Sequence, residues 1–440
     1  MAPSTRPAGT WQNWGRTERV RPLTVEYPST IEAVRRAVRS AAQRGRPVKA
    51  VGTGHSFSGI AVAPGTLLEL TALSGLVSVD RERQRVRLLA GTRLHRIPAL
   101  LAPYGLAMTN LGDIDQQSIS GAISTGTHGT GSRYGGIATQ VVAATLVTAD
   151  GELLTVSETE NAEMLPAVAL GLGALGILVD VTLQCVPAFT LHAVERPEPL
   201  DDVVGDIAAR ADAADHFEFY WFPHTDIALT KTNERRGADA ATHPLGRASK
   251  LVDDVLVGNV VHQAVCSAGR AAPALVPGIN RLSARVWGDR SFSDASHRVF
   301  ATSRGVRFRE MEYAVPVENL ADAFRGIQRV IADHDWRIEF PIEVRTAAAD
   351  DLWLSTASGR ASGYIAVHRY WRTDPTVYFR AVEEVMLAHG GRPHWGKMHT
   401  QDAASLRSRY PRFDDFTALR DRLDPHRLFR NPYLTRVLGE

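Results

Sequence analysis

The feature that most constrains this chain is a glycine-rich turn directly after a short predicted strand, Arg46–Val51. Consecutive free N–H groups in such a turn form a concave site that can hold phosphate oxygens. A helix before the strand is predicted by the capping pattern that begins at Ser29 and by apolar residues at helical spacing. The sequence therefore predicts a strand–turn element that carries a ligand, with the turn residues Gly52, Thr53, Gly54, His55 and Ser56.

A second segment, Ser118–Gly131, combines hydroxyl residues and glycines with almost no long side chain. Such a segment lets the backbone approach a ligand closely and offers many small hydrogen-bonding groups. Isoleucine and alanine recur within it, which argues against a free linker. Its candidate ligand-binding residues are Ser118, Gly121, Ala122, Thr125, Thr127, His128 and Gly129.

The bulk properties exclude several classes of protein. At 440 residues the chain can form two or three domains, and its formal net charge of +2 gives no reason to expect nucleic acid as a partner. Its two cysteines, Cys185 and Cys266, cannot form a disulfide framework. We find neither a secretory signal in Met1–Gly15 nor an apolar run long enough to span a membrane, so we expect a cytoplasmic protein.

The hydrophobic pattern predicts a first domain that ends near residue 188. Short strands are predicted around Leu67, Val77 and Val86, and two more flank a hairpin turn at Ala149–Glu152. The segment Gly171–Gly176 matches the dinucleotide pattern G-x-G-x-x-G, but a helical stretch precedes it and a strand follows. A Rossmann site needs the opposite order, so we reject a nicotinamide site.

From about Phe189 the pattern changes to longer predicted strands, with a helix at Val317–His334. These features predict a second domain, built on a mostly antiparallel sheet with covering helices. The segment 237–290 is poorly periodic and receives no assignment. We expect the second domain to span residues 189–410 and residues 411–440 to return to the first.

Together these motifs resemble the flavin domain of the vanillyl-alcohol oxidase family. The resemblance covers nearly the whole chain, in the right order, and is greatest to the branch of aldonolactone (L-gulonolactone) oxidases and dehydrogenases, followed by alditol oxidases. Further matches lie at Glu343–Arg345, Arg392–Lys397 and Asp424–Tyr433. The resemblance implies an α+β fold, with FAD bound by two subdomains and carried covalently by His55. It also places Gly176, Ile177 and Asn431 near the cofactor.

Residues Ile338–Arg345 alternate strictly, which predicts a strand with Glu343 and Arg345 on one face. Such a pair is often a surface ion pair. The resemblance instead implies that both side chains hold the hydroxyl groups of a substrate, and an arginine fork with a carboxylate can fix a vicinal diol.

Two further positions complete the predicted catalytic set. His368 shares a face of the next predicted strand with Ala366, and it is either a substrate contact or a structural histidine. The resemblance implies that Lys397 stabilises the anionic reduced flavin, whereas from sequence alone it could be a surface lysine. His394 and His399 have no carboxylate or cysteine cluster near them in sequence, so we predict no metal site.

The expected function is FAD-dependent oxidation of a sugar-derived alcohol, such as L-gulono-1,4-lactone, by hydride transfer to flavin N5. The resemblance implies that alanine at position 366 stands where alditol oxidases have a polar substrate contact, which favours a compact lactone over a xylitol-like polyol. A flavin-binding redox carrier without turnover is the alternative from another class. The electron acceptor is oxygen or a carrier protein or dye. Gly112, which the resemblance places near flavin C4a, favours an oxidase because it has no side chain to block oxygen.

Overall fold

The computed structural model describes residues 9–246, 267, 269–286, 288–301 and 306–440. Cys266 and part of the unassigned segment 237–290 lie outside this range. Within the described residues the strands are β1 (Trp11–Gln12), β2 (Arg19–Val20), β3 (Thr24–Glu26), β4 (Val48–Val51), β5 (Thr66–Glu69), β6 (Leu76–Asp80), β7 (Arg85–Leu89), β8 (Leu106–Ala107), β9 (Val141–Val147), β10 (Leu153–Ser157), β11 (Ile177–Gln184), β12 (Val186–Pro187), β13 (Phe189–Pro199), β14 (His216–Trp221), β15 (Ile227–Gly237), β16 (Arg290–Ala295), β17 (Phe308–Pro316), β18 (Ile342–Ala347), β19 (Ser362–Tyr370) and β20 (Arg392–Pro393).

The α-helices of the described residues lie between these strands and at the C-terminus. No helix in this part of the chain is long and apolar enough to cross a membrane. The helices are α1 (Ile31–Gln43), α2 (Ile97–Leu101), α3 (Ile119–Thr125), α4 (Leu165–Val168), α5 (Leu200–Gly205), α6 (Ile207–Ala213), α7 (Val276–Val286), α8 (Ser296–Phe300), α9 (Leu320–Asp333), α10 (Thr376–Ala388), α11 (Ala403–Arg407), α12 (Phe413–Leu423) and α13 (Pro432–Leu438).

The first half of the chain forms two small sheets. Strands β3, β5 and β4 pair in parallel, and α1 provides the crossover between β3 and β4. Helix α1 forms close to where the sequence predicts it, and Gly45 after its end has φ of +60°. Its N-cap is Thr30, whose side chain accepts the backbone N–H of Ala33, one residue later than the predicted capping box that begins at Ser29. The second sheet is antiparallel, with strand order β10-β9-β11-β7-β6, and it includes the predicted hairpin of β9 and β10.

The second half forms one large antiparallel sheet. Among the described residues it has eight strands in the order β16-β13-β15-β14-β18-β19-β17-β20. Helices α5, α6, α9 and α10 cover one face and bury apolar residues such as Phe219, Val344 and Ile365 against it. The α+β class and the covered antiparallel sheet are confirmed. Because side chains alternate along a strand, the opposite face carries the polar residues that the candidate site uses.

The C-terminal residues pack back onto the first half. Phe416, Phe429 and Val437 belong to the same buried cluster as Val38 of α1 and Val181 of β11. The predicted domain limits at residues 188 and 410 remain predictions.

One strand begins later in the sequence than predicted. The alternation from Ile338 suggested a strand over Ile338–Arg345, but β18 begins only at Ile342. Pro341 lacks a backbone N–H and cannot donate to the ladder at this point. The backbone oxygen of Ile338 accepts a hydrogen bond from the Asn280 side chain instead of joining the sheet.

Candidate active site

The predicted glycine turn lies against the N-terminus of α3. A side chain at Gly52 would place its Cβ 2.5 Å from the Ser118 hydroxyl oxygen, so only glycine allows this approach. Gly54 has φ of +71°, which also favours glycine. The Ser118 side chain accepts a hydrogen bond from the backbone N–H of Gly121 and begins α3. The two glycine- and hydroxyl-rich segments are therefore in contact, as expected if both bind one ligand.

An elongated groove runs along this meeting point. Its first part is lined by the turn, by α3 and by the glycine segment before β11, including Gly173, Gly176 and Ile177. Its second part begins at His55 and continues to the large sheet. Both parts share the wall residues His55, Ser56, Gln117 and Thr125. One groove with glycine-lined walls fits an extended dinucleotide such as FAD. The order of helix α4, glycine turn and strand β11 confirms that the G-x-G-x-x-G match is not a Rossmann turn.

Glu343 and Arg345 lie side by side on β18 and face the second part of the groove. Both are buried, with side-chain exposures of 5% and 8%, so they are not a surface ion pair. The Arg345 guanidinium lies 2.5 Å from Glu343 through Nη2 and 2.7 Å from Glu218 through Nε. Asp113 is 3.5 Å away. Burial alone would lower the pKa of Arg345, but these carboxylates raise it well above its usual value.

Lys397 enters the same pocket from the segment after β20. Its ammonium group lies 2.5 Å from the carboxylate of Glu310 on β17. Burial lowers the pKa of Lys397, but Glu310 and Glu312 offset this, and the net shift is upward. Burial raises the pKa of Glu310, and Lys397 with His368 brings it down to about 2. At neutral pH the lysine is therefore cationic and the carboxylate is ionised.

A buried histidine–glutamate–histidine set lies at the wall of this pocket. The possible ligand atoms of His128, Glu312 and His394 all lie within 4.8 Å of one another. The His394 Nδ1 accepts the backbone N–H of Gly396, so the other nitrogen of the neutral ring carries its proton. The His128 Nδ1 donates to the Gly129 carbonyl, and its Nε2 lies 3.2 Å from Glu312. We interpret the set as a hydrogen-bonded cluster, because His394 has no free lone pair for a metal ion.

His368 lies behind the pocket wall and not in it. Its Nδ1 donates to the Pro341 carbonyl at 3.1 Å, and its Nε2 lies 3.5 Å from Glu310. The side chain is 4% exposed. The interpretation as a direct substrate contact is therefore corrected: His368 does not line the pocket, and it contacts the lining residues Glu310 and Phe308 from behind.

Four of the predicted cofactor-binding residues, Gly112, Ala122, Gly129 and Asn431, do not line the groove. The Ala122 side chain packs in the core, and the Asn431 amide donates to the carbonyls of Gly59, Ile60 and Val62. A Cβ on Gly129 would lie 2.1 Å from the Leu111 carbonyl oxygen, and one on Gly112 would lie 3.0 Å from that of His128. These positions support the backbone that forms the groove.

Sequence reasoning missed the acidic partners of this site. Glu310 and Glu312 alternate with apolar residues along β17. The same kind of alternation predicted that Glu343 and Arg345 share a face of β18, so it could have indicated these two glutamates as well. Asp113 and Glu218 had no such local signal. Lys49, which lines the first part of the groove and donates to the Gly173 carbonyl at 2.8 Å, was also missed.

The fold and this groove define the class of protein. A family model described as "FAD binding domain" matches residues 22–157. Cholesterol oxidase from B. sterolicum superposes with a TM-score of 0.84 at 18% identity, over 99% of this chain and 97% of that structure, which supports the fold. The protein is an FAD-dependent oxidoreductase that acts on CH–OH groups, with a vanillyl-alcohol oxidase-type fold.

The particular family follows from the second half of the chain. The model described as "D-arabinono-1,4-lactone oxidase" matches residues 181–437, and the chain belongs to this family. It is 42% identical over 429 residues to L-gulono-1,4-lactone dehydrogenase of Mycobacterium tuberculosis, which covers 98% of this chain and 99% of the relative. It is 31% identical to alditol oxidase of a Streptomyces species, over 97% of this chain and 98% of the relative.

Proposed function

We propose that this protein oxidises a neutral aldono-1,4-lactone such as L-gulono-1,4-lactone. The observation that carries the proposal is the convergence of Glu343, Arg345 and Lys397 on one pocket that is continuous with the FAD groove. The flavin would supply the hydride acceptor, N5. The names of the relatives support a sugar lactone or a polyol as the substrate class.

Arg345 and Glu343 would position the substrate hydroxyl groups. The Nε edge of Arg345 is held by Glu218, so the guanidinium is fixed before substrate arrives. A pre-organised fork loses little conformational entropy when it binds a diol. The hydroxyl proton would leave to a neighbouring base or to water. His394 is not that base, because its nitrogen opposite the Gly396 contact already carries a proton.

We also propose that His55 holds the flavin through a bond to the 8α-methyl carbon. Such a bond requires an imidazole nitrogen with a free lone pair. Burial lowers the pKa of His55, and the cations Arg93 and Lys397 lower it further, so the ring is neutral at pH 7. Trp14 stacks near it at 5.9 Å between ring centroids. A neutral, oriented imidazole at the junction of the two groove parts supports this assignment.

The alternative substrate is an open-chain polyol, as in alditol oxidases. Ala366 lies directly opposite Glu343 in the sheet and opposite Glu312 on its other side. Its methyl group offers no hydrogen bond beside these two carboxylates, which supports the lactone. A redox carrier without turnover is not supported, because the relatives reported above are named as a dehydrogenase and an oxidase. Oxygen is our proposed electron acceptor. A Cβ added to Gly112 would point at the His128 carbonyl oxygen and not into open space.

The experiment that tests this function is anaerobic reduction of the bound flavin. L-gulono-1,4-lactone should bleach the yellow absorbance faster than xylitol at equal concentration. The rates at several concentrations give the limiting reduction rate and the apparent affinity for each compound. A protein that xylitol bleaches faster would be an alditol oxidase, and one that neither compound bleaches would contradict the proposed substrate class.

Lys397→Met should slow flavin reduction by about tenfold to hundredfold and lower the redox potential of the flavin, since a cation beside developing negative charge is lost. The change also leaves Glu310 buried without its ammonium partner. Stopped-flow reduction and a dye-coupled potential titration measure the two effects. The double variant Lys397→Met, Glu310→Gln removes the stranded carboxylate and separates the two causes. An unchanged potential in both variants would place Lys397 outside the electrostatic environment of the flavin.

A further inference from the structure

A second cavity of about 540 Å³ lies on the far side of β17 from the candidate active site. Along this strand Glu310 and Glu312 face the active-site pocket, whereas Met311 between them faces the cavity. The other walls come from the chain before and after the predicted flavin turn, from α10 and from α13. Strand β17 therefore forms a wall between the active-site pocket and this second cavity.

The two cavities share one wall residue, Phe57. It lies two positions after His55, and its backbone N–H donates to the Gly396 carbonyl of the lysine segment. Trp14 connects these two residues: its ring centroid is 5.9 Å from that of His55 and 6.0 Å from that of Phe57. A short series of aromatic contacts thus leads from His55 to the second cavity.

The lining of the cavity suits a flat, uncharged ligand. Met311, Phe379, Met398 and Tyr433 supply thioether and aromatic surfaces, which favour contact with an aromatic ring. The charged groups balance, since Arg380 and Arg436 are accompanied by Glu18 and Glu383. The Glu383 carboxylate accepts hydrogen bonds from Tyr313 and Thr400, so it already has hydrogen-bond partners within the protein.

We propose that this cavity binds a small quinone that takes electrons from the reduced flavin. Oxidation of one CH–OH group to C=O releases two electrons and two protons, and reduction of a quinone to a hydroquinone takes up the same number of each. The cavity would thus give the enzyme a second electron acceptor beside oxygen. The inference rests on the proposed function in placing the flavin next to His55.

The cavity can be filled from one helix. Thr376 and Arg380 are four residues apart on α10, so they share one helical face, and both line the cavity. Val377 on the same helix is 69% exposed and lines no described cavity wall. Thr376→Trp and Arg380→Trp therefore fill the cavity, and Val377→Trp is the matched control.

The test uses the holoenzyme with menadione as the quinone. The flavin is reduced anaerobically with dithionite, so the result does not depend on whether a lactone is the substrate. Each cavity-filling variant should lower the rate constant for reoxidation by menadione by about tenfold or more, which corresponds to about 1.4 kcal/mol. Reoxidation by oxygen and the behaviour of Val377→Trp should stay near the wild type.

Binding provides a readout that does not depend on turnover. Equilibrium dialysis of menadione against the oxidised holoenzyme should show one bound quinone in the wild type and weaker binding in both cavity-filling variants. Unchanged menadione binding and reoxidation in those variants would overturn the proposal. So would an equal loss in Val377→Trp, which would indicate damage to α10, or competition between menadione and the lactone, which would place the quinone in the substrate pocket.

Discussion

Arg345→Leu is expected to lower kcat/KM by about tenfold to hundredfold, since a charged hydrogen bond to substrate contributes about 1.5–3 kcal/mol. It should also lower the free energy of unfolding by about 3–5 kcal/mol, because a buried ion pair loses one partner. Arg345 contacts Glu218, Glu343 and Asp113, and all three carboxylates would remain after the change. Steady-state kinetics and chemical denaturation measure the two effects separately.

A second ion pair, between β19 and the segment before β18, provides the control. Arg369 on β19 lies 2.6 Å from Glu339 and is also mostly buried, but neither residue lines the groove. Arg369→Leu should therefore cost stability without a comparable loss in kcat/KM per folded molecule. Glu343→Gln keeps the shape of the side chain and should lose catalysis while it retains flavin. Near-normal turnover in both Arg345→Leu and Glu343→Gln would mean that the pair is only structural.

Much of the fold could be predicted because its signals are local. The buried face of α1 and the hairpin of β9 and β10 each depend on residues close in sequence. The early start assigned to β18 shows the limit of such signals. Alternation alone predicted the strand from Ile338, but Pro341 and the Asn280 side chain decide how the backbone there is bonded.

The partners in the active site depend on sheet register, which the sequence did not reveal. Glu343 lies opposite Ala366, and Ala366 lies opposite Glu312, so three neighbouring strands bring the two carboxylates to one pocket. No spacing along the chain predicts that order of strands. The family resemblance identified Lys397 and Arg345 as site residues, but it could not predict where each side chain points. Asn431 is an example, because it was predicted to lie near the cofactor and its amide instead donates to three backbone carbonyls.

The expected result for His55→Ala is complete loss of covalently bound flavin. Acid precipitation of the wild type should leave a yellow pellet, and the variant should leave a colourless pellet and a yellow supernatant. The reason is that alanine has no nitrogen for the bond to the 8α carbon, while the groove remains. Its walls at Gly52, Ser118 and Gly121 do not depend on the imidazole. We therefore expect the variant to fold and to bind FAD non-covalently.

A half-buried histidine away from the groove serves as the control for this experiment. His297 on α8 lines neither part of the groove, so His297→Ala should leave the pellet yellow. The pH at which flavin is added to unliganded protein gives a further check. Burial and two nearby cations lower the pKa of His55, so its neutral form, and with it the rate of covalent attachment, should persist below the usual histidine pKa. A wild-type pellet that releases all its flavin would refute the covalent bond at His55, yet it would leave the FAD groove and the roles proposed for Arg345 and Lys397 intact, because those rest on the pocket geometry.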